Sequence, residues 1–167
     1  MQLETATPDD ISAIIALAKT AWLDTYTSII TLEQIEFMLH LFYSAEVIAS
    51  QLKNPTHHFI VAKEENVLKG YCHFMQEKGE EPYCKLSKLY LLPSEKGKGL
   101  GQLLMKAMEQ KSLSMGISCI RLNVNRANPA LYFYQKMGFA IIETVDIPLD
   151  KFWLNDYIME KRLLEWR

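Results

Sequence analysis

The stretch LYLLPSEKGKGLGQLLMKAMEQ, residues 89–110, joins an apolar run to an amphipathic segment through a loop with three glycines and two lysines. The apolar run ends at Pro93 and is typical of a β-strand, whereas the pattern from Gly99 to Met115 predicts an α-helix. A glycine loop that opens a helix presents unpaired backbone N–H groups at the positive end of the helix dipole. The stretch therefore predicts a phosphate-binding turn between a strand and a helix.

The spacing of these glycines excludes two common nucleotide-binding loops. The pattern G-x-G-x-x-G would need a glycine at Gln102, and no register supplies G-x-x-x-x-G-K-[ST]. What remains is Lys96-x-x-Gly99-x-Gly101, in which the glycines let the backbone approach a pyrophosphate while Lys96 and Lys98 add cationic donors. The alternative interpretation is a plain strand-to-helix turn with solvated lysines.

Length and composition predict one domain over residues 1–167, because 49% apolar residues suffice for a single core. No apolar stretch approaches the roughly 20 residues of a membrane span, and the polar N-terminus does not resemble a secretion signal. We therefore expect a cytoplasmic protein with no membrane partner. The scattered cysteines, Cys72, Cys84 and Cys119, indicate neither a disulfide framework nor a zinc site, so no metal is expected.

The net charge of −2 conceals an asymmetry along the chain. Residues 1–81 carry 5 basic and 12 acidic side chains, whereas residues 82–167 carry 13 and 8. This pattern suggests an anionic ligand on one side of the molecule and a cationic one on the other, although the pattern taken alone is more typical of solvated surface charge that drifts along the chain. Because no basic stripe is interleaved with aromatic residues, nucleic acid is not an expected partner.

Apolar periodicity predicts an α/β (α+β) chain with a mixed, mostly antiparallel sheet flanked by helices. Thr31 and Ser44 are predicted helix N-caps, and a proline stands at the first position of two other helices. The predicted helices are 8–22, 31–43, 44–52, 99–115 and 128–137. The predicted strands are 1–7, 58–64, 67–78, 83–92, 118–124 and 152–163, with a return to the sheet after Gly138-Phe139.

Two motifs carry a resemblance to a known family. KGKGLG, residues 96–101, resembles the pyrophosphate loop Arg/Gln-x-x-Gly-x-Gly/Ala of the GCN5-related N-acetyltransferases (GNAT family), with Lys96 in the place of Arg or Gln. NPALYFYQKMGF, residues 128–139, is similar to the family's Asn…Ala-x-x-x-Tyr-x-Lys-x-Gly-Phe segment. The usual asparagine position falls on Ala127, which leaves Asn125 or Asn128 to contact the cofactor, and a helix N-cap is the other role open to Asn128.

The resemblance implies a GNAT-like fold in which two strands splay apart around the arm of acetyl-CoA. The backbone of residues 89–91 would pair with the pantetheine arm like another strand. Lys136 and Arg126 are the cations expected near the 3′-phosphate. The expected cofactor-binding residues are Leu89, Tyr90, Leu91, Lys96, Gly97, Lys98, Gly99, Leu100, Gly101, Asn125, Asn128 and Lys136.

Tyr134 corresponds to the family residue that protonates the departing thiolate. A phenol suits this role because its pKa of about 10 lies near that of a thiol. The alternative is a core aromatic beside Phe133, and Tyr132 lies on a different face of the same helix. No general base is evident, so the early carboxylates remain candidates beside water alone. These carboxylates are Asp24, Glu33 and Glu36.

The resemblance also implies an acceptor pocket roofed by the early helices, where Trp22, Tyr26 and Glu33 are candidate substrate contacts. Trp22 as an apolar anchor of the first helix is the alternative. The expected function is direct transfer of an acetyl group from acetyl-CoA to a primary amine, such as the polyamine spermidine or another small cationic amine. A protein N-terminal or lysine acetyltransferase and a non-catalytic acyl-CoA-binding sensor are the alternatives, and a homodimer is left open.

Overall fold

The computed structural model describes residues 1–163, and the predicted mixed α/β architecture is confirmed. Two short 3₁₀ turns, Pro8–Asp10 and Pro93–Glu95, precede the first and fourth helices. The elements in chain order are β1 (Gln2–Thr5), α1 (Ile11–Tyr26), α2 (Leu32–Phe42), α3 (Ala45–Lys53), β2 (His57–Glu64), β3 (Val67–Glu77), β4 (Tyr83–Leu91), α4 (Leu100–Ser114), β5 (Cys119–Asn125), α5 (Ala130–Lys136), β6 (Ala140–Leu149) and β7 (Phe152–Arg162).

Across residues 1–163, seven strands form one sheet in the order β1-β2-β3-β4-β5-β7-β6. Its neighbours pair antiparallel except for β4 and β5, which are parallel. The parallel pairing runs only from Cys84 opposite Ile120 to Leu86 opposite Leu122 within the described chain. Beyond it, β4 continues along β3 and β5 continues along β7, so the two strands diverge. The predicted splay is therefore present between β4 and β5.

A β-bulge in β4 lies where the two strands separate. His73 of β3 pairs with Lys88 and Phe74 pairs with Leu86, so Ser87 has no partner on β3. One extra residue reverses the alternation of side chains between the two faces of the sheet. Leu86 accordingly packs in the core under α4, whereas Lys88 reaches α2 and α3 on the opposite face.

Each face of the sheet has its own hydrophobic core. Under α4 and α5, buried Met105 and Met108 pack with Ile120 and other strand residues. On the other face, buried side chains from α1, α2 and α3, such as Ile14 and Ile35, pack against β2 and β3. The apolar periodicity of these helices therefore buries one side of each against the sheet. The sheet therefore lies between two helical layers, with α1–α3 on one face and α4 and α5 on the other.

The helix boundaries follow the predicted caps with one difference. The hydroxyls of Thr31 and Ser44 accept hydrogen bonds from the N–H groups of Gln34 and Val47, at 3.2 and 3.3 Å, which confirms both N-caps. The first helix ends at Tyr26, one turn later than predicted. The last turn of α1 makes contacts with distant parts of the chain, such as the hydrogen bond between Asn128 and Tyr26. Apolar periodicity does not encode such contacts. In residues 1–163, no helix has both the length and the apolar character that a membrane span requires.

Candidate active site

A cavity of about 970 Å³ occupies the gap between the diverging strands. One wall is β4 from Leu86 to Leu91, and the other is residues 122–124 of β5. The glycine loop closes one end, and α5 contributes Phe133 and Tyr134. The β4 edge that faces β3 is already paired at Leu89, Tyr90 and Leu91, whereas the edge facing β5 is not. The gap therefore presents free backbone groups to an extended ligand.

The loop before α4 has the backbone geometry that the glycine motif predicts. Gly97 and Gly99 have φ angles of 78° and 84°, in the left-handed region that glycine tolerates best. Gly99 occupies the N-cap position of α4, and no side chain caps that helix. Its first N–H groups are thus available for an anion. A Cβ on Gly101 would lie 3.3 Å from the Phe133 ring, so a glycine here allows close packing with α5.

The cations around this loop differ in their availability. Lys96 lines the larger cavity, but its ammonium lies 2.6 Å from the Asp24 carboxylate of α1. Lys136 also lines that cavity, whereas Lys98 does not. Arg126 lines neither cavity and binds the exposed Asp146 carboxylate at 2.7 Å, and its contact with the 3′-phosphate stays a prediction. Asp24, one of the early carboxylates, is consequently held by Lys96 at the loop.

Tyr134 lies in the wall of the larger cavity, with its ring edge-on to Phe133 and Phe139 at centroid distances of 5.5 and 5.9 Å. Burial raises the pKa of its phenol far above the ordinary tyrosine value, and the Tyr26 hydroxyl adds to the effect. The phenol therefore stays protonated near neutral pH, which is the form that can donate a proton, although its raised pKa makes it a weaker acid than a free phenol. Tyr132, on the same helix, is 70% exposed and points elsewhere.

The two asparagines have different positions. Asn128 lines the larger cavity, and its Oδ1 accepts a hydrogen bond from the N–H of Ala130 at 2.9 Å. Its Nδ2 donates to the Tyr26 hydroxyl at 3.0 Å, which ties α5 to the end of α1. Although regular helix α5 begins at Ala130, Pro129 already has helical φ and ψ angles of −58° and −20°, and the bond from the Ala130 N–H to Asn128 Oδ1 is the capping hydrogen bond expected of an N-cap. Asn125 lines a second, smaller cavity instead.

This smaller cavity, of about 290 Å³, lies on the α1–α3 side of the sheet. It shares wall residues with the larger cavity at the bulge, so the two meet there. The residues lining both are Tyr26, Leu86, Ser87, Lys88, Tyr90 and Asn123. A group bound at this junction would contact both cavities. Two ligands, one in each cavity, can therefore meet there.

The predicted acceptor contacts divide between this cavity and the surface. Trp22 and Tyr26 line the smaller cavity, with ring centroids 4.5 Å apart. Trp22 is also a core anchor, because its Nε1 donates to the hydroxyls of Tyr43 and Tyr90 at 3.1 and 3.0 Å. Burial raises the pKa of Tyr90 to about 12, which keeps this hydroxyl network uncharged. Glu33 is exposed, pairs with Lys151 and lines neither cavity.

The charges of the smaller cavity differ from those that the charge asymmetry predicts. Among the described residues, its charged lining groups are Lys85, Lys88 and Asp156, all from the second half of the chain. No carboxylate of the acidic first half, residues 1–81, therefore lines this cavity, whereas Asp24 of α1 lines the larger one.

Sequence reasoning missed Asp156, which is only 9% exposed. Burial raises its pKa, and this effect is opposed by a hydrogen bond with Asn123 and by the charges of Arg126 and Lys85. The sequence did contain a signal for this residue, because Asp156 is a carboxylate inside a predicted strand. Buried carboxylates are rare and often functional.

Comparisons with known proteins agree with this geometry. A family profile described as "Acetyltransferase (GNAT) domain" matches residues 26–162. The Spermidine N(1)-acetyltransferase of Thermoplasma acidophilum is 29% identical over 159 residues, covering 92% of each chain. An uncharacterised N-acetyltransferase of Mycobacterium tuberculosis is 33% identical over 122 residues, covering 72% of this chain and 77% of its own.

The architecture is also similar to solved structures. The crystal structure of the PaiA N-acetyltransferase from Thermoplasma acidophilum in complex with coenzyme A superposes with a TM-score of 0.84. It is 28% identical, and the match covers 97% of this chain and 99% of that one. A structure of aminoglycoside 6′-acetyltransferase type Ii matches with a TM-score of 0.72 at 19% identity over 100% of both chains, a likeness of fold alone.

Proposed function

The chain belongs to the GNAT acetyltransferase family, and from this premise we propose that it transfers the acetyl group of acetyl-CoA to a small primary amine. One observation carries the proposal: Tyr134 and the glycine loop line one cavity, and that cavity meets a second, smaller one at the bulge of β4. A thioester at the junction would be open to an amine arriving from the α1–α3 side. The attack is direct, within a complex of protein, acetyl-CoA and amine.

Acetyl-CoA would bind along the gap between β4 and β5. The N–H groups at the start of α4 would hold its pyrophosphate, which Gly97 and Gly99 allow to approach closely. The free backbone edge of residues 89–91 would pair with the pantetheine arm. Lys136 would add a cation at the same cavity. The coenzyme A complex of the similar Thermoplasma acidophilum protein supports this arrangement.

The chemistry requires three proton transfers, two from the amine nitrogen and one to the departing sulfur. The amine must lose its ammonium proton before its nitrogen attacks the thioester carbonyl carbon, and Asp156 is the carboxylate of the smaller cavity able to take that proton. The C–N bond forms on attack. The C–S bond breaks as the tetrahedral intermediate collapses, and the nitrogen releases its second proton to solvent water. The departing sulfur takes a proton from the Tyr134 hydroxyl, which leaves the free thiol of coenzyme A, and the tyrosinate regains its proton from solvent. A backbone N–H of β4 would stabilise the carbonyl oxygen as it gains charge.

Replacement of Asp156 by asparagine should lower kcat/KM for the amine by about 100-fold or more at neutral pH, because the general base is lost. A carboxylate acts as a base only when ionised. Native activity should therefore decline as pH falls through the pKa of Asp156, which burial raises above the usual aspartate range. The D156N protein should lack that part of its pH profile, measured as coenzyme A release with a thiol reagent.

The exposed Glu33 provides the matched control, since E33Q removes a carboxylate that lines neither cavity. Its activity and pH profile should equal those of the native protein. If E33Q lost activity while D156N retained it, the base assigned from the cavity geometry would be wrong and the early carboxylate would be right.

The function itself is tested by incubating purified protein with acetyl-CoA and a panel of polyamines, amino acids, aminoglycosides and peptides. We expect acetylated product from at least one small amine, detected by mass spectrometry. Transfer only to peptides would favour the protein acetyltransferase alternative. Tight coenzyme A binding with no transfer to any amine would favour an acyl-CoA sensor.

A polyamine acceptor is the second candidate, favoured by the name of the Thermoplasma acidophilum relative. Several carboxylates near the amine site would attract such a polycation. Among the described residues, however, Asp156 is the one carboxylate in the lining of the smaller cavity, beside Lys85 and Lys88. The local charge is thus unfavourable for a polycation.

A further inference from the structure

Lys88 is a buried cation in the wall of the smaller cavity. Only 5% of the residue is exposed, because the bulge at Ser87 turns its side chain under α2 and α3. Its ammonium donates to the Phe42 carbonyl at 3.3 Å and to Gln51 Oε1 at 3.5 Å, and it lies 4.4 Å from the centroid of the Tyr43 ring. These three contact residues also line the smaller cavity. The ammonium therefore lies at the α2–α3 end of this cavity.

Lys88 has no carboxylate partner among residues 1–163, in contrast to the ion pairs that Lys63, Lys96 and Lys161 form. Both of its hydrogen-bond acceptors are neutral oxygens, and an ammonium has three N–H donors. Burial lowers the pKa of Lys88 to about 8, which leaves it mainly cationic at neutral pH. A buried cation without an anion is unfavourable, and a bound anion would relieve this cost.

Asp156 supplies the opposite charge in the same cavity. No ion pair joins it to Lys88 within the described chain, so the two charges lie at separate points on the wall. The Asp156 carboxylate lies beside Asn123 on the β5–β7 side, whereas the Lys88 ammonium lies by α2 and α3. A ligand with an amine at one end and an anion at the other matches both charges.

We propose that the acceptor is a small amino acid, with a carboxylate that binds Lys88 and an amine that faces Asp156. This inference rests on the proposed acetyl transfer and names the substrate class of the same site. A polyamine would place a second ammonium against Lys88, and like charges in a poorly solvated cavity repel strongly. Lys88 is thus the specificity-determining residue, and a neutral monoamine would use only the Asp156 end.

The test compares acceptors that share a four-carbon chain and differ at the distal end. 4-Aminobutanoate carries a carboxylate, butylamine a methyl group and 1,4-diaminobutane an ammonium, with spermidine as a longer polycation. With acetyl-CoA at saturation, native protein should show the highest kcat/KM with 4-aminobutanoate or with another ω-amino acid between glycine and 6-aminohexanoate. A native preference for 1,4-diaminobutane or spermidine would overturn the proposal without any variant.

Replacement of Lys88 by methionine preserves the length of the side chain and removes its charge. K88M should lower kcat/KM for the preferred amino acid by roughly 10- to 100-fold, the usual effect of losing a charged hydrogen-bond partner. Its kcat/KM for butylamine should fall much less than that for the amino acid, so that the ratio between the two drops roughly 10-fold or more, and kcat/KM for 1,4-diaminobutane should be equal or higher. K106M removes an exposed lysine of α4 and is the control, with all ratios unchanged.

Binding measurements cover acceptors that are not turned over. With coenzyme A bound, titration calorimetry should show tighter binding of the amino acid than of butylamine, and K88M should abolish the difference. If no acceptor of the set binds, or if K88M leaves the ratio of amino acid to butylamine unchanged, the proposal is wrong. Calorimetry with coenzyme A tests the proposed acetyl transfer separately from the identity of the acceptor. Failure to bind coenzyme A would contradict the proposed function itself.

Discussion

Replacing Gly99 with valine should abolish coenzyme A binding, with a loss of affinity of at least about 100-fold, or roughly 3 kcal/mol. Gly99 has a φ of 84° and begins α4, and a β-branched side chain there is strained and projects into the space where a pyrophosphate would lie. Titration calorimetry of the variant with acetyl-CoA measures the loss. A folded variant that binds as tightly as the native protein would show that the loop does not hold the cofactor.

Gly116 offers a matched control for backbone strain. It has a φ of 75°, no atom lies within 4 Å of an added Cβ, and it lines neither cavity. G116V should therefore destabilise the fold to a similar degree while retaining coenzyme A binding. Equal losses of binding in G99V and G116V would indicate a general effect of strain rather than a blocked phosphate site.

Removing the hydroxyl of Tyr134 should lower kcat by roughly 100- to 1,000-fold, the range expected for a lost general acid. The phenylalanine ring retains the packing against Phe133 and Phe139, so the KM for acetyl-CoA should change little. Single-turnover measurements should place the defect in the chemical step, because thiolate departure then lacks a proton donor. Full turnover by Y134F would return Tyr134 to a purely structural role.

Tyr132 is the natural comparison, since it is a tyrosine on the same helix and is 70% exposed. Y132F makes the same chemical change two residues away and should leave kcat and KM unaffected. Loss of activity in Y132F together with full activity in Y134F would mean that the acid had been assigned to the wrong face of α5.

The local features of this protein were predictable from its sequence. The N-caps at Thr31 and Ser44, the order of helices and strands, and the glycine loop depend on residues a few positions apart. Within such a short span, backbone geometry and hydrogen-bond chemistry are determined by the residues themselves. The resemblance of residues 128–139 to the GNAT segment implied a site role for Tyr134, and its ring lies in the wall of the larger cavity.

The acceptor side depends on contacts between distant parts of the chain. Asn128 bonds to Tyr26 across 102 positions, and this contact extends α1 beyond the predicted end. Arg126, which follows β5, forms an ion pair with Asp146 of β6, 20 positions away along the chain. Early carboxylates were expected at the amine, yet Glu33 is on the surface and Asp156 lies in the cavity. None of these partners is visible in a local window of sequence.

The sequence alone determined the features that depend on residues close together in the chain. These are the types of element, their caps and a loop with free N–H groups before α4. Only the tertiary structure decided what the smaller cavity contains, because strand register selects the face of each side chain. The unpaired Ser87 reverses that choice in β4 and turns Lys88 from the α4 core toward α2 and α3. A bulge is specified by pairing with the neighbouring strand rather than by the strand's own residues, so alternation along β4 could not predict it.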